Sequence, residues 1–157
     1  MAERVYIETT IISYLTAWPS RDVVMAGHQQ VTQEWWETRR ANYDLCVSQL
    51  VIDEAQAGDA QAAQDRVEVL RAMLVLETTR AALVLAKELL RAGALPAKAA
   101  DDALHIAVAA VHAVPYLLTW NCRHLANAVM RPVIESVCKT KGFSPPIICT
   151  PEELLET

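Results

Sequence analysis

The sequence predicts an α/β protein, a three-layer α/β/α sandwich built on a parallel sheet, and three observations predict it. Short apolar runs recur along the chain, each ending on a polar or turn residue: RVYI, LCV, LVLE, YLLT and IIC. Longer stretches with helical spacing of apolar residues separate them, and the two kinds alternate. The short runs are apolar throughout rather than at every second position, as in strands buried on both faces of a parallel sheet covered by helices.

Taken in order, Arg4 to Ile7 is the first strand and leads into Glu8 and the doublet Thr9-Thr10. Ile11 to Ala17 continues as an apolar helix, stopped by Pro19. Asp22 is placed to cap the next helix, which carries HQQVTQEWWETRRANY to about residue 42. Leu45 to Val47 is the second strand, and Ser48 caps the helix in SQLVIDEAQ. Gly58-Asp59 interrupts that helix and starts another, DAQAAQDRVEVLRAM. Leu74 to Glu77 is the third strand, followed by an Ala/Leu-rich helix from Thr79 to about Ala92 and a turn over Gly93 to Pro96. Lys98 to Val111 is the next helix and Tyr116 to Thr119 the fourth strand. His124 to about Lys141 reads as mostly helical, with Pro132 starting or kinking a segment. Pro145-Pro146 leads to the last strand, IIC, and Thr150 with Pro151 opens a short acidic helix. With no linker, repeat or low-complexity tract, residues 1–157 are read as one domain.

Composition narrows the function classes. Apolar residues make up 53% of the chain and charged residues 21%, a globular rather than a disordered balance. No apolar run reaches the roughly 18–20 residues of a membrane span, and MAERVYIETT has no signal-peptide pattern, so a cytoplasmic protein is expected. Cys46, Cys122, Cys138 and Cys149 form no CxxC pair, which suits a reducing compartment. Cys122 and His124 alone do not complete a zinc set. The net charge of −5 argues against tight, non-specific duplex binding. It is compatible with a nuclease whose own ions neutralise an acidic pocket, and with a basic protein partner.

Four polar positions carry the candidate chemistry. Glu8 follows the first strand, Glu54 sits on the short helix after the second, and Asn121 lies just past the fourth. Asp102 lies in the first turn of the helix in AADDALHIAVAA, where the positive helix end favours a carboxylate. Ligands of open parallel sheets bind beyond the carboxyl ends of the strands, so adjacent strands would bring all four to one cleft. Three carboxylates and an amide oxygen are hard ligands, suited to Mg²⁺ or Mn²⁺, and such sites hydrolyse phosphodiesters. Each residue also has a plainer role. Glu8 could cap the helix at Thr9 or Thr10, Glu54 could be a helix-surface residue, and one of Asp101 and Asp102 is only a helix N-terminal charge. His105 shares the helix face of Asp102 and is better read as a core or supporting histidine than as a catalytic base. Trp35 and Trp36 read as core or partner surface rather than a base-stacking platform.

These residues carry a resemblance to the PIN-domain family, in its VapC-like toxin branch, over nearly the whole chain. VYIETTIISYL is similar to the family's first strand and opening acid, SQLVIDEA to its second acid motif and DDALHIAVAA to its third. LLTWNCRHL resembles the fourth, a threonine followed two residues later by an acid. The resemblance implies a five-stranded parallel sheet, Mg²⁺- or Mn²⁺-dependent endoribonuclease activity on single-stranded or structured RNA, homodimers, and inhibition by a cognate antitoxin. It makes Glu8, Glu54, Asp102 and Asn121 the catalytic and metal positions. Thr119 then positions Asn121. On a nuclease reading Thr10 and His105 support the site and Arg123 contacts phosphate, although an arginine just past a strand is also a commonplace surface residue. The chain departs from the pattern at two positions. Glu8 stands where the family usually has Asp, one methylene shorter, and Asn121 stands where it usually has Asp, with one more negative charge. These departures set a second expectation beside the nuclease, a catalytically weakened module that binds RNA or protein; a third is a DNA nuclease of the same fold.

Overall fold

Val5, Tyr6 and Ile7 have no solvent exposure, because the strand that carries them, β1 (Glu3–Ile7), is the middle of a five-stranded parallel sheet. The computed structural model describes residues 2–155; Met1, Glu156 and Thr157, the ends of the expected 1–157 span, lie outside the described residues. The other strands are β2 (Tyr43–Ser48), β3 (Leu74–Leu76), β4 (Tyr116–Leu118) and β5 (Ile147–Cys149), in the order β3-β2-β1-β4-β5. Ile7 is level with Leu118, and Leu118 with Cys149. The ladder then runs one residue further, Glu8 N–H donating to the Leu118 carbonyl and Thr119 N–H to that of Cys149. Glu8 and Thr119 therefore leave the sheet side by side.

The helices are α1 (Thr9–Thr16), α2 (Val23–Thr38), α3 (Gln49–Ala55), α4 (Ala60–Leu70), α5 (Arg80–Arg91), α6 (Ala100–Val111), α7 (Arg131–Thr140) and α8 (Pro151–Leu154). α1 packs on α2, α3 and α4, while α5 packs on α6 and α7. Connections through α1–α4 step from β1 toward β3, whereas α5 and α6 carry the chain back from β3 across the sheet to β4, and α7 takes it on to β5. Right-handed crossovers in opposite directions put the two groups on opposite faces, giving the three layers. The reversal lies between β1 and β4, the place where such sheets open a ligand crevice.

Several boundaries differ from the sequence reading. α1 begins at Thr9, directly after Glu8, rather than at Ile11. α2 stops at Thr38, and a single 3₁₀ turn over Arg40–Asn42 links it to β2, which is longer than Leu45–Val47. The stretch from His124 to Met130 is not helical, and α7 starts only at Arg131. Asn127 explains this. Its Oδ1 accepts from the N–H groups of Val129 and Met130, and its Nδ2 donates to the carbonyls of Cys122 and Arg123. Such side-chain bonds offer the backbone an alternative to a helix. Ser48 precedes α3 without capping it, since its hydroxyl bonds the Tyr6 phenol instead. Asp22 does cap α2, through the Val24 N–H, and Thr150 and Glu153 form a full capping box on α8. Trp35 is buried and stacks on Tyr43, in keeping with a core role.

Candidate active site

Glu8 is only 4% exposed, an uncommon place for a carboxylate. It occupies the N-cap position of α1, yet its side chain makes no capping bond. Its Oε1 accepts instead from the hydroxyls of Thr10 and Thr119, each at 2.5 Å. Both hydroxyls are themselves held from behind. The Trp120 N–H donates to Thr10 Oγ1 and the Asn121 N–H to Thr119 Oγ1, each at 2.9 Å. A hydroxyl has one hydrogen, so threonines tethered in this way direct it at the glutamate. Thr119 thereby fixes the backbone of Asn121 and the side chain of Glu8 together.

Glu54 is presented in the same manner from α3. Its Oε1 lies 2.5 Å from the Thr9 hydroxyl and 2.8 Å from His105 Nε2. His105, on α6, is 1% exposed, and its Nδ1 lies 2.7 Å from the Tyr6 hydroxyl. Burial alone would raise the Glu54 carboxyl, but the hydrogen bond and charge of His105 and the Thr9 hydroxyl outweigh it and hold the group below its ordinary value. For His105 burial pulls downward, yet the bond to Glu54 and the charges of Glu8, Glu54 and Asp102 leave the imidazole raised. One potential ligand atom from each of Glu8, Glu54 and His105 falls within 4.8 Å of the others.

Asp102 and Asn121 form an adjoining unit. Asp102 Oδ1 accepts from Asn121 Nδ2 at 3.1 Å, and Oδ2 lies 2.8 Å from His124 Nδ1. The Asn121 amide oxygen turns away from this contact and accepts from the N–H groups of Arg123 and His124, both at 3.1 Å. The four expected residues are thus brought to one end of the sheet, with Glu8 and Glu54 clustered and Asp102 linked to Asn121. Asp101 is exposed. Arg123 is exposed, and among the described residues its guanidinium makes no hydrogen bond or ion pair. Between the two halves, Trp120 stacks on His28 at 4.0 Å and donates from Nε1 to Thr32, which anchors the loop to α2.

Sequence reasoning missed Thr9, Tyr6, Ser48 and the role of His124. The Thr9-Thr10 doublet was a usable signal, since consecutive positions at a helix start point different ways and here serve different glutamates. Tyr6 and Ser48 gave none, being apolar-strand and helix-start residues in any reading.

Among the described residues no lysine or arginine pairs with Glu8, Glu54 or Asp102; their only ionic neighbours are His105 and His124. Two carboxylates, each with one oxygen pinned by two donors, leave the other oxygen of each without a hydrogen-bond partner among those residues. Oxygen donors in a partly buried, cation-poor cleft fit a divalent cation of the Mg²⁺ or Mn²⁺ kind.

No family model matches the sequence, and comparison with curated proteins gives no match. Solved structures do match. A chain of VapBC2 from Rickettsia felis, determined bound to a DNA fragment from its promoter, superposes with a TM-score of 0.60 at 15% identity, over 94% of this chain and 98% of that one. VapC20 from Mycobacterium tuberculosis, a sarcin–ricin-loop-cleaving toxin, superposes with a TM-score of 0.59 at 14% identity, over 90% of this chain and 99% of that one. Nearly complete coverage in both directions matches the whole architecture, helices and sheet together. The chain therefore has a PIN-domain fold of the VapC type.

Proposed function

We propose that this protein is a divalent-cation-dependent endoribonuclease that hydrolyses RNA phosphodiester bonds as the toxin of a toxin–antitoxin pair. The observation that carries the reading is the paired presentation of Glu8 and Glu54, each held at one oxygen by two donors, with no lysine or arginine among the described residues to neutralise it. The fold shared with VapC20 supports the choice of RNA. Glu8 and Glu54 would hold Mg²⁺ or Mn²⁺ through their free oxygens, with Asp102 as the third carboxylate of the cleft. Bound there, the ion would activate water and stabilise charge on the phosphodiester. Asn121 and His124 keep the Asp102 carboxylate in one orientation, and Thr10 and Thr119 do the same for Glu8. Arg123, free at the rim, meets the phosphate backbone. A basic segment of an antitoxin would compete for the same acidic cleft, and the active form is a cytoplasmic homodimer.

The test is Mn²⁺-stimulated cleavage measured side by side on single-stranded RNA, single-stranded DNA and flap substrates. RNA cleavage lost on Asp102→Asn, with the fold intact, is the expected result. Undiminished cleavage by that variant sinks the site, and cleavage of DNA alone sinks the substrate.

One observation favours a second reading, a binding module of weakened activity. The Asn121 side chain adds no charge and spends its amide oxygen on two backbone N–H groups. On that reading wild type binds RNA or a protein partner without cleaving, and Asn121→Asp raises Mn²⁺ affinity.

A further inference from the structure

Behind the two glutamates a line of buried polar groups runs back into the sheet. Ser48 Oγ lies 2.7 Å from the Tyr6 hydroxyl, that hydroxyl 2.7 Å from His105 Nδ1, and His105 Nε2 2.8 Å from Glu54 Oε1. Tyr6, Ser48 and His105 are at most 1% exposed. Tyr6 sits on the central strand, Ser48 at the end of its neighbour and His105 on α6, so the line ties together three elements far apart in sequence.

An apolar residue would fill the Tyr6 position at lower desolvation cost, because a buried hydroxyl is tolerated only when its hydrogen bonds are made. Burial pushes the phenol well above its ordinary value, so it keeps its proton. A phenol can donate to a bare imidazole nitrogen or accept from a protonated one, and the Ser48 hydroxyl can take the complementary part in either case. With both ring nitrogens engaged, the imidazole has no free nitrogen for an ion and acts on the cleft only through Glu54.

We infer that Tyr6 and Ser48 are positioning residues for the acidic centre: they pin the Nδ1 edge of His105, which delivers its Nε2 edge to Glu54 Oε1 and leaves Oε2 for the cation. The inference rests on the reading of Glu54 as a cation ligand. It gives Tyr6 of the first strand and Ser48 of the second a part in ion binding beyond that of Glu8, the acid that directly follows the first.

Tyr6→Phe removes one oxygen and keeps the ring in the core. Mn²⁺ binding to the full chain, followed by calorimetry, should weaken about tenfold, the order seen when a ligand's supporting hydrogen bond is lost. The Nδ1 resonance of His105 in ¹⁵N spectra should move, since it loses its partner. Ser48→Ala, which touches neither ring, should shift the same resonance less and weaken Mn²⁺ binding by a smaller factor. This variant also carries the test if Tyr6→Phe fails to fold. A Tyr6→Phe protein with Mn²⁺ affinity within twofold of wild type and an unmoved Nδ1 resonance overturns the inference. So does Ser48→Ala without effect on either readout. RNA cleavage enters neither measurement, so a wild type that binds Mn²⁺ yet cleaves nothing fails the nuclease reading and leaves this one standing. A wild type that binds no Mn²⁺ fails both.

Discussion

His105 Nε2 lies 2.8 Å from Glu54 Oε1, and the ring that carries it is 1% exposed. The contact joins the helix that bears Asp102 to the helix that follows β2, so its ionisation is felt by the fold as well as by the site. The imidazole is raised above its ordinary 6.5 despite burial. Its contribution to stability is fully present below that value and is lost as pH rises through the folded pKa. The Glu54 carboxyl is lowered below its ordinary 4.5, so its contribution is present above that value and lost as pH falls through the folded pKa. Both are complete only between about 4.5 and 6.5. The melting temperature of the metal-free protein, scanned in EDTA, should be highest in that window and fall on the alkaline side. A profile still rising above neutral pH would contradict the assignment.

Asn121→Asp should make folding more dependent on a cation. In the native site Asn121 Nδ2 donates to Asp102 Oδ1, and replacing that donor by an acceptor sets two carboxylates against each other. Such a pair costs on the order of 1–3 kcal/mol when the lost hydrogen bond is not replaced. The variant should melt lower than wild type in EDTA and gain more on adding Mn²⁺, because two adjacent carboxylates attract a cation more strongly than one. Equal Mn²⁺ stabilisation of the two proteins would show that the fourth position does not face the ion.

Much of this was readable in the residues, and the reasons differ by element. Five apolar runs each gave a strand, because a parallel sheet buried on both faces leaves little freedom in composition. The acids were readable because Glu8, Glu54 and Asp102 sit at fixed places relative to those strands. What was not readable depends on contacts between distant segments. Ser48 looks like an N-cap, since serine before a helix usually is one, yet a tyrosine 42 positions earlier claims its hydroxyl. The His124 to Met130 stretch has helical composition, but Asn127 bonds four local backbone groups and holds it in turns. Asn121 was expected to offer its oxygen, and which end of an amide faces the site is decided by neighbours that spacing does not reveal.

Thr119→Val tests how far Glu8 depends on its clamp. The valine keeps the shape of the strand end but removes a hydroxyl that donates to Glu8 Oε1 and accepts from the Asn121 N–H. Thr119 is fully buried, so the lost bonds leave a carboxylate oxygen and a backbone donor less satisfied, at a cost of about 1–3 kcal/mol. Chemical denaturation should show that loss, and Mn²⁺ affinity should fall with it. Thr119→Ser, which restores the hydroxyl, should recover most of both. If valine and serine variants behave alike, the hydroxyl is not what holds Glu8.

Cys122 offers a probe of the cleft that needs no change in sequence. Burial pushes the Cys46 and Cys149 thiols up to about 12 and the Cys138 thiol to about 11, so the three stay protonated and shielded at neutral pH. Cys122 is exposed and free, one residue beyond Asn121. The native protein should therefore release one equivalent of thiol rapidly to a disulfide reagent, and four only after denaturation. Single-stranded RNA bound across the acidic cleft would cover the Asn121–His124 loop and slow that first reaction several-fold, whereas Mn²⁺ alone, held deeper at Glu8 and Glu54, would change it little. Protection by RNA that is independent of sequence and lost at high salt would mark a backbone contact of the kind expected for Arg123. Unchanged reactivity at saturating RNA would place the nucleic acid on some other face of the molecule.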